Sequence, residues 1–245
     1  MLSKNQIKLI RSLELKKNRK REGLFVAEGP KVVNDLLKAG YKARAIYSTK
    51  EQITEEELQR ISFLQHPQQV LAVMEIPETA TQPLSEADAA LPTTKLCLAL
   101  DGVQDPGNVG TILRIADWFG IDTVFCSQDT ADVYAPKVVQ ATMGSLAHVR
   151  VFYTDLVALL KKADYPVYGT LLDGQDIYSE KLTTNGIIVM GNEGNGISQE
   201  VRQQVSHRLL IPNYHTDSNT AESLNVAIAT AITCAEFRRR TRLGR

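Results

Sequence analysis

From Lys95 onward, short apolar runs alternate with helical stretches, and this alternation leaves few folds open. Lys95–Leu100, Asp122–Cys126, Val149–Phe152, Val167–Leu171, Ile187–Met190 and Arg208–Ile211 read as strands. Val109–Phe119 (closed by Gly120), Pro136–Thr142, Leu156–Lys162 (capped by Thr154), Gln199–Val205 and Ala221–Arg239 read as helices. Strands that are apolar along their whole length and separated by helices imply an α/β fold, a mostly parallel sheet covered on both faces. Ligands of such sheets sit beyond the carboxyl ends of the strands.

Three polar turns fall at those ends: Asp105-Pro106-Gly107-Asn108-Val109-Gly110-Thr111-Ile112-Leu113-Arg114, Gly191-Asn192-Glu193-Gly194-Asn195-Gly196, and Ile211-Pro212 followed by Glu222-Ser223-Leu224-Asn225. In the first, Ile112, Ile115, Ala116 and Phe119 form a core-facing stripe and Arg114 points elsewhere, beside the missing side chain of Gly110. Asn108 suits a helix cap, and Asp117 is an i,i+3 partner within reach of Arg114. The second turn is GxxGxG, not the GxGxxG of dinucleotide folds, and no GxxxxGK[ST] phosphate loop exists. Its glycines let backbone approach a flat ligand, with Glu193 the one side chain able to hold a charge. In the third, Asn219–Glu222 could be a capping box for a last helix that is apolar nearly all round. Such a helix needs a second burial partner, for which another copy of the chain is expected.

Residues 1–50 carry thirteen Lys/Arg against four Asp/Glu, a net +9, whereas residues 51–100 are at −6. The dense part, Lys4 to Arg21, includes Lys16, Lys17, Arg19, Lys20 and Arg21. It suits a polyanion such as RNA, and the alternative is a solvated helix face. Ser3 caps a first helix, and a small α/β unit follows to Ile76. Pro77–Pro92, with three prolines and no strong period, reads as a linker that keeps two units apart. The domains are therefore expected at 1–80 and 93–245, with linker 81–92. With 43% apolar residues the chain can bury a real core, and no apolar run nears the roughly 20 residues of a membrane span. The N-terminus lacks a signal-peptide apolar region, so a cytoplasmic location is expected. Cys97, Cys126 and Cys234 are too scattered for a CxxC pair, and the four histidines show no metal spacing.

Read jointly, DPGNVGTILRIADWFG, IIVMGNEGNGIS and LLIPN…ESLNVAIATAI resemble the three motifs of the SpoU (TrmH-like) RNA ribose methyltransferases of the SPOUT class, over residues 93–240. The N-terminal unit resembles the small RNA-binding domain, similar to a ribosomal-protein fold, that many members carry. The resemblance implies S-adenosylmethionine as cofactor, RNA (ribosomal RNA first, transfer RNA second) as substrate, no metal, a homodimer through the C-terminal helix, and a trefoil knot that holds the cofactor. By motif, Asn108, Arg114, Glu193, Ser223 and Asn225 take the catalytic positions, and the backbone of Gly191, Ile211 and Leu224 holds the adenosine. Two departures stand out. The loop 213–220 is longer than in the family, and the family's Pro-Gln-Gly is here Pro67-Gln68-Gln69. Arg114 is often cast as the base, but a guanidinium is a poor proton acceptor. A clamp on the neighbouring phosphate fits it better, with Glu193 holding Arg114 or the knot in place. Two other readings keep part of this: methylation of an RNA base nitrogen, and a catalytically silent RNA-binding homologue.

Overall fold

The computed structural model describes residues 2–215 and 223–243. The N-terminal unit runs α1 (Lys4–Ser12), α2 (Lys16–Glu22), β1 (Leu24–Glu28), α3 (Pro30–Lys38), β2 (Ala43–Ser48), α4 (Glu55–Ile61) and β3 (Val70–Glu75). Its strands form an antiparallel sheet of order β1-β3-β2. Strand alternation divides β1 between two cores. Leu24 and Val26 pack with Ile10, Leu13, Leu58 and Ile61, whereas Phe25 and Ala27 join a core that continues into the second unit. Capping boxes start α1 (Ser3 with Gln6) and α4 (Thr54 with Glu57).

The first helix, capped by Ser3, ends at Ser12, and after a break at Leu13–Leu15 a second helix carries the remaining basic residues. Leu13 is buried there, and the carbonyls freed at the break accept from Arg19 (Nη1 to Leu13 O, 2.8 Å, and to Glu14 O, 2.7 Å). In the turn before β3, Gln69 adopts φ 52°, a left-handed backbone that favours glycine. The residue thus bears strain at the position where the family pattern has glycine.

The segment expected to hold the units apart does not do so. It contains a short helix, α5 (Glu86–Ala89), flanked by two 3₁₀ turns, and it buries Leu84, Ala89 and Leu91 against the second unit's core. Across the junction Phe25 meets Tyr134 (ring centroids 4.9 Å), and Tyr41, which packs edge-on to Phe25 at 6.0 Å, donates its Oη to Leu146 O at 3.3 Å. The two units share one continuous apolar core.

The second unit comprises β4 (Leu96–Asp101), α6 (Pro106–Trp118), β5 (Thr123–Cys126), α7 (Pro136–Thr142), β6 (Arg150–Tyr153), α8 (Leu156–Lys161), β7 (Val167–Asp176), β8 (Gly186–Gly191), α9 (Gln199–Arg202), β9 (His207–Leu210) and α10 (Val226–Leu243). All six strands are parallel, in the order β6-β5-β4-β8-β7-β9. The strands from β4 to β8 feed both faces: in β4, Leu96, Leu98 and Leu100 enter one core, Cys97 and Ala99 the other. From β4 the chain winds outward to β5 and β6, then crosses to the other side for β7, β8 and β9. β4 and β8 are neighbours whose following helices lie on opposite faces, so their ends mark the switch point at which doubly wound sheets bind ligands.

Three local readings need correction. Asp155, not Thr154, caps α8 (Oδ1 accepting from Ala158 N, 3.0 Å). β7 runs on to Asp176, five residues past its expected end, with its register shifted between Thr170 and Gln175. Gly174 makes the extension possible, because a Cβ there would lie 2.5 Å from Leu209 C. The last helix begins at Val226 rather than Ala221. The proposed Asn219–Glu222 capping box lies outside the described residues.

Candidate active site

Asp105 caps α6, its Oδ1 accepting from Asn108 N at 2.8 Å. Asn108, expected as the cap, thus sits in the helix's first turn with its amide free to reach out. It donates Nδ2 to Glu193 at 3.0 Å and accepts from Asn225 Nδ2 at 2.9 Å, bridging partners 85 and 117 residues away. Glu193 also accepts from the backbone N–H of Gln104 (3.2 Å) and Asp105 (3.1 Å). Asn225 in turn caps α10, its Oδ1 accepting from Ala227 N (2.9 Å) and Ile228 N (3.3 Å). The chain Glu193–Asn108–Asn225 therefore ties the three polar turns together.

Partial burial pulls the Glu193 carboxyl up, but the hydrogen bonds from Asn108 and the backbone outweigh it and hold the group below the ordinary carboxylate range. Glu193 is accordingly an anion at neutral pH, with its oxygens engaged. Its geometry suits an organiser of loops and not a proton acceptor. The sign is that of a depressed acid: this stabilisation is present above the ordinary carboxylate range and is lost as pH falls below it. Glu193→Gln replaces an acceptor oxygen with a donor amide facing backbone N–H groups. We expect kcat/KM to fall about ten- to a hundred-fold, as for a misplaced reacting group. Since Glu193 is exposed, thermal melting should move by less than about 2 °C.

The second turn is pinned from within. Asn192 Oδ1 accepts from Gly194 N (2.9 Å) and Asn195 N (3.0 Å), and its Nδ2 donates to Gly102 O at 2.7 Å. Gly191 pairs with Asp101 at the end of β8. A Cβ on Gly191 would lie 2.2 Å from Gly196 C, so backbone alone fits there. Asp101 Oδ2 accepts from Ser198 N at 2.7 Å, and Ile211 is half-buried just beyond β9. Ser223 and Leu224 are exposed on the segment entering α10.

Sequence reasoning missed Asp101, Asp105 and Asn192. Asp105 ahead of Pro106 is a helix-start signature that could have been found. The other two act across strands, and only the β4–β8 pairing brings them into play.

Three expectations fail. Arg114 is exposed on α6 and has no hydrogen bond or ion pair among the described residues. Glu193 does not hold it, and Asp117 pairs instead with His148 Nδ1 at 3.1 Å. Nor does Gly110 make room for the guanidinium. Its absent Cβ would lie 2.4 Å from Ala141 Cβ and 2.7 Å from Val138 O, so Gly110 lets α6 and α7 pack closely. In the basic stretch, Lys16, Lys17, Lys20 and Arg21 are exposed, but Arg19 is buried. Its Nε and Nη2 donate to Asp132 Oδ2 at 3.1 and 2.6 Å, across the junction of the two units. Arg19 therefore cannot contact RNA. Burial also pushes the thiols of Cys97 and Cys234 up to about 12, so neither supplies a thiolate.

A family model described as the SpoU rRNA Methylase family matches residues 95–235, and one described as the MRM3-like substrate binding domain matches residues 4–88. The chain is 32% identical over 249 residues to the 23S rRNA (guanosine(2553)-2'-O)-methyltransferase RlmP of Bacillus subtilis, covering 94% of this chain and 95% of that one. Among solved structures it superposes with TM-score 0.84 on a protein of the TrmH family of RNA methyltransferases from Porphyromonas gingivalis, at 44% identity over 98% and 99% of the two chains. It superposes with TM-score 0.83 on an AdoMet-bound rRNA methyltransferase from Sinorhizobium meliloti, at 29% identity over 98% and 96%.

Proposed function

Since the chain belongs to the SpoU rRNA methylase family, we propose that it transfers a methyl group from S-adenosylmethionine to a ribose 2′-hydroxyl of ribosomal RNA. The observation that carries this reading is the Glu193–Asn108–Asn225 chain, which brings three separated turns together at the strand ends. It is supported by the RlmP relative, which matches nearly end to end and is named for ribose methylation of 23S rRNA.

The residues at these strand ends are compatible with the cofactor. At Gly191 only backbone fits between β8 and the Gly196 turn, and Leu224, 51% exposed, offers apolar surface at the same end of the sheet. The backbone of Gly191, Ile211 and Leu224 would hold the adenosine, and the bound cofactor supplies an electrophilic methyl on sulfur. The chain's own residues then have separate tasks. Asn108, Glu193 and Asn225 fix the loops, and Ser223 stands beside them as a polar group at the α10 entrance. Arg114, with all five N–H donors unspent, binds the phosphate next to the target ribose and steadies charge growing on the attacking oxygen.

The reading extends to a knotted sheet. α10 returns from the β9 edge to lie along α6, with Asn225 bonded to Asn108 at one end and Arg238 bonded to Phe119 O (2.6 Å) and Gly120 O (2.9 Å) at the other. The start of α10 thus stands beside the first residues of α6, as a knotted C-terminus would place it. A homodimer through α10 is supported by its split character: Val226, Ala227, Cys234 and Phe237 are buried, while Ile228 is 54% exposed. No helix among the described residues is long and apolar enough to cross a membrane, and a cytoplasmic location would place the enzyme with its rRNA.

The N-terminal unit would bind RNA through Lys16, Lys17, Lys20 and Arg21, in a ribosomal-protein-like fold. Replacing Lys17, Lys20 and Arg21 together with alanine should flatten the dependence of log affinity on log salt by about 2, at roughly 0.7 per lost phosphate contact. Thermal melting should stay unchanged, and an unaltered salt slope would remove this surface from the RNA path.

The decisive experiment for the activity is titration calorimetry with S-adenosylmethionine, followed by methyl transfer to unmodified rRNA and mapping of nuclease-resistant dinucleotides. Absence of cofactor binding, or methylation confined to a base, would overturn the reading.

A further inference from the structure

The chain has a single tryptophan, and it is 85% exposed, the most exposed of its large apolar side chains among the described residues. Trp118 follows Arg114 by four residues on α6, so both share one face, about 6 Å apart along the axis. Together they line a shallow depression with Lys31, Asp117, Met143 and Ser145. Lys31 comes from α3 of the N-terminal unit. Its Nζ donates to Asp35 Oδ2 and to Met143 O, each at 2.7 Å, which holds α3 against the turn after α7. An ammonium has three N–H donors, so one remains unspent. Asp35 bonds Lys31 and Asp117 bonds His148 Nδ1, so neither carboxylate engages Arg114, whose guanidinium has no partner among the described residues.

From these features we infer that the depression seats a nucleotide of the substrate strand beside the target ribose, its base stacked on the Trp118 indole and its phosphate shared by Arg114 and Lys31. The inference rests on the proposed RNA methyltransferase activity and adds a contact to it. Every base offers a π-face, so an exposed indole next to a free guanidinium accepts single-stranded RNA with little regard for sequence. The surroundings favour a nucleotide over a second copy of the chain. Four of its six lining residues carry a charge or a hydroxyl, whereas Ile228 and Leu224, apolar surface offered to a partner, belong to α10 and its entrance, outside this depression. The seat also spans both units, because Lys31 is carried by one and Arg114 and Trp118 by the other. RNA held on the N-terminal unit would thereby reach the strand ends of the second unit in a defined register.

Because Trp118 is the only tryptophan, intrinsic fluorescence of the full-length protein reads this site alone. Titration with an adenosine 12-mer RNA should quench the emission saturably, and Trp118→Phe should keep the affinity within about three-fold. Trp118→Ala should weaken it roughly five- to a hundred-fold, the range for losing one base–aromatic stack. It should also raise KM for rRNA more than it lowers kcat, while affinity for S-adenosylmethionine stays unchanged. Emission that shifts with protein concentration and ignores the RNA would show the indole covered by a second copy and overturn the seat. Equal RNA affinity in Trp118→Ala and wild type would also overturn it, with methylation by the wild type still standing. Failure of the wild type to bind S-adenosylmethionine would instead strike the proposed activity itself.

Discussion

Arg114→Lys should lower kcat/KM for rRNA methylation by about 10²- to 10³-fold, the cost of removing one donor from a charge-stabilising set. Lysine preserves the positive charge but replaces a planar five-donor fork with a point charge on a flexible stem. The magnitude follows from what Arg114 is free to do. It is exposed and engages no partner among the described residues, so the substitution removes no internal contact and should leave thermal melting and S-adenosylmethionine affinity unchanged. The loss must then appear in the chemical step and in RNA binding. Arg114→Ala should fall further, because charge and fork are both gone. Steady-state kinetics on unmodified rRNA, with cofactor affinity measured in parallel, separates the possibilities. Turnover of Arg114→Lys near that of wild type would exclude the bidentate clamp and leave a simple electrostatic role.

Much of this architecture is legible in sequence because it rests on local signals. The alternating apolar runs fix six parallel strands, and the β4 and β8 stretches are buried throughout, as a sheet covered on both faces requires. The three polar turns could be located because glycine and asparagine mark strand ends. Asn108, Glu193 and Asn225 are the members of the motif set that the fold brings into direct contact.

What escaped the sequence depends on partners distant along the chain. Gly110 looks like an opening beside Arg114 until α7 is laid against it, with Ala141 where a Cβ would go. The stretch before Pro92 has no period, yet Leu84, Ala89 and Leu91 bury against a neighbouring core, since a few well-placed apolar side chains suffice to dock a segment. Arg19 is indistinguishable from its basic neighbours in a helix of charge. Only the position of Asp132, 113 residues later, turns it inward.

That inward turn makes Asp132→Ala the most damaging single substitution expected for stability. The Arg19 side chain is 2% exposed and the Asp132 side chain 14%, so removing the carboxylate strands a guanidinium that water cannot reach. Breaking a buried pair from one side costs about 3–5 kcal/mol, which for a chain of this size lowers Tm by roughly 6–20 °C. Replacing both partners with apolar residues, Arg19→Met with Asp132→Leu, should recover most of the loss, because the penalty lies in the orphaned charge and not in the absent attraction. The recovery should stay incomplete, since Arg19 also supplies Nη1 to the carbonyls of Leu13 and Glu14. The continuous apolar core across the junction adds a second expectation: melting of Asp132→Ala followed by far-ultraviolet circular dichroism should show one transition, with both units unfolding together. Two separated transitions would mean that the ion pair, and not the shared core, couples the units. A Tm unchanged in Asp132→Ala, joined to weakened RNA binding in Arg19→Ala, would return Arg19 to the RNA surface from which its burial removes it.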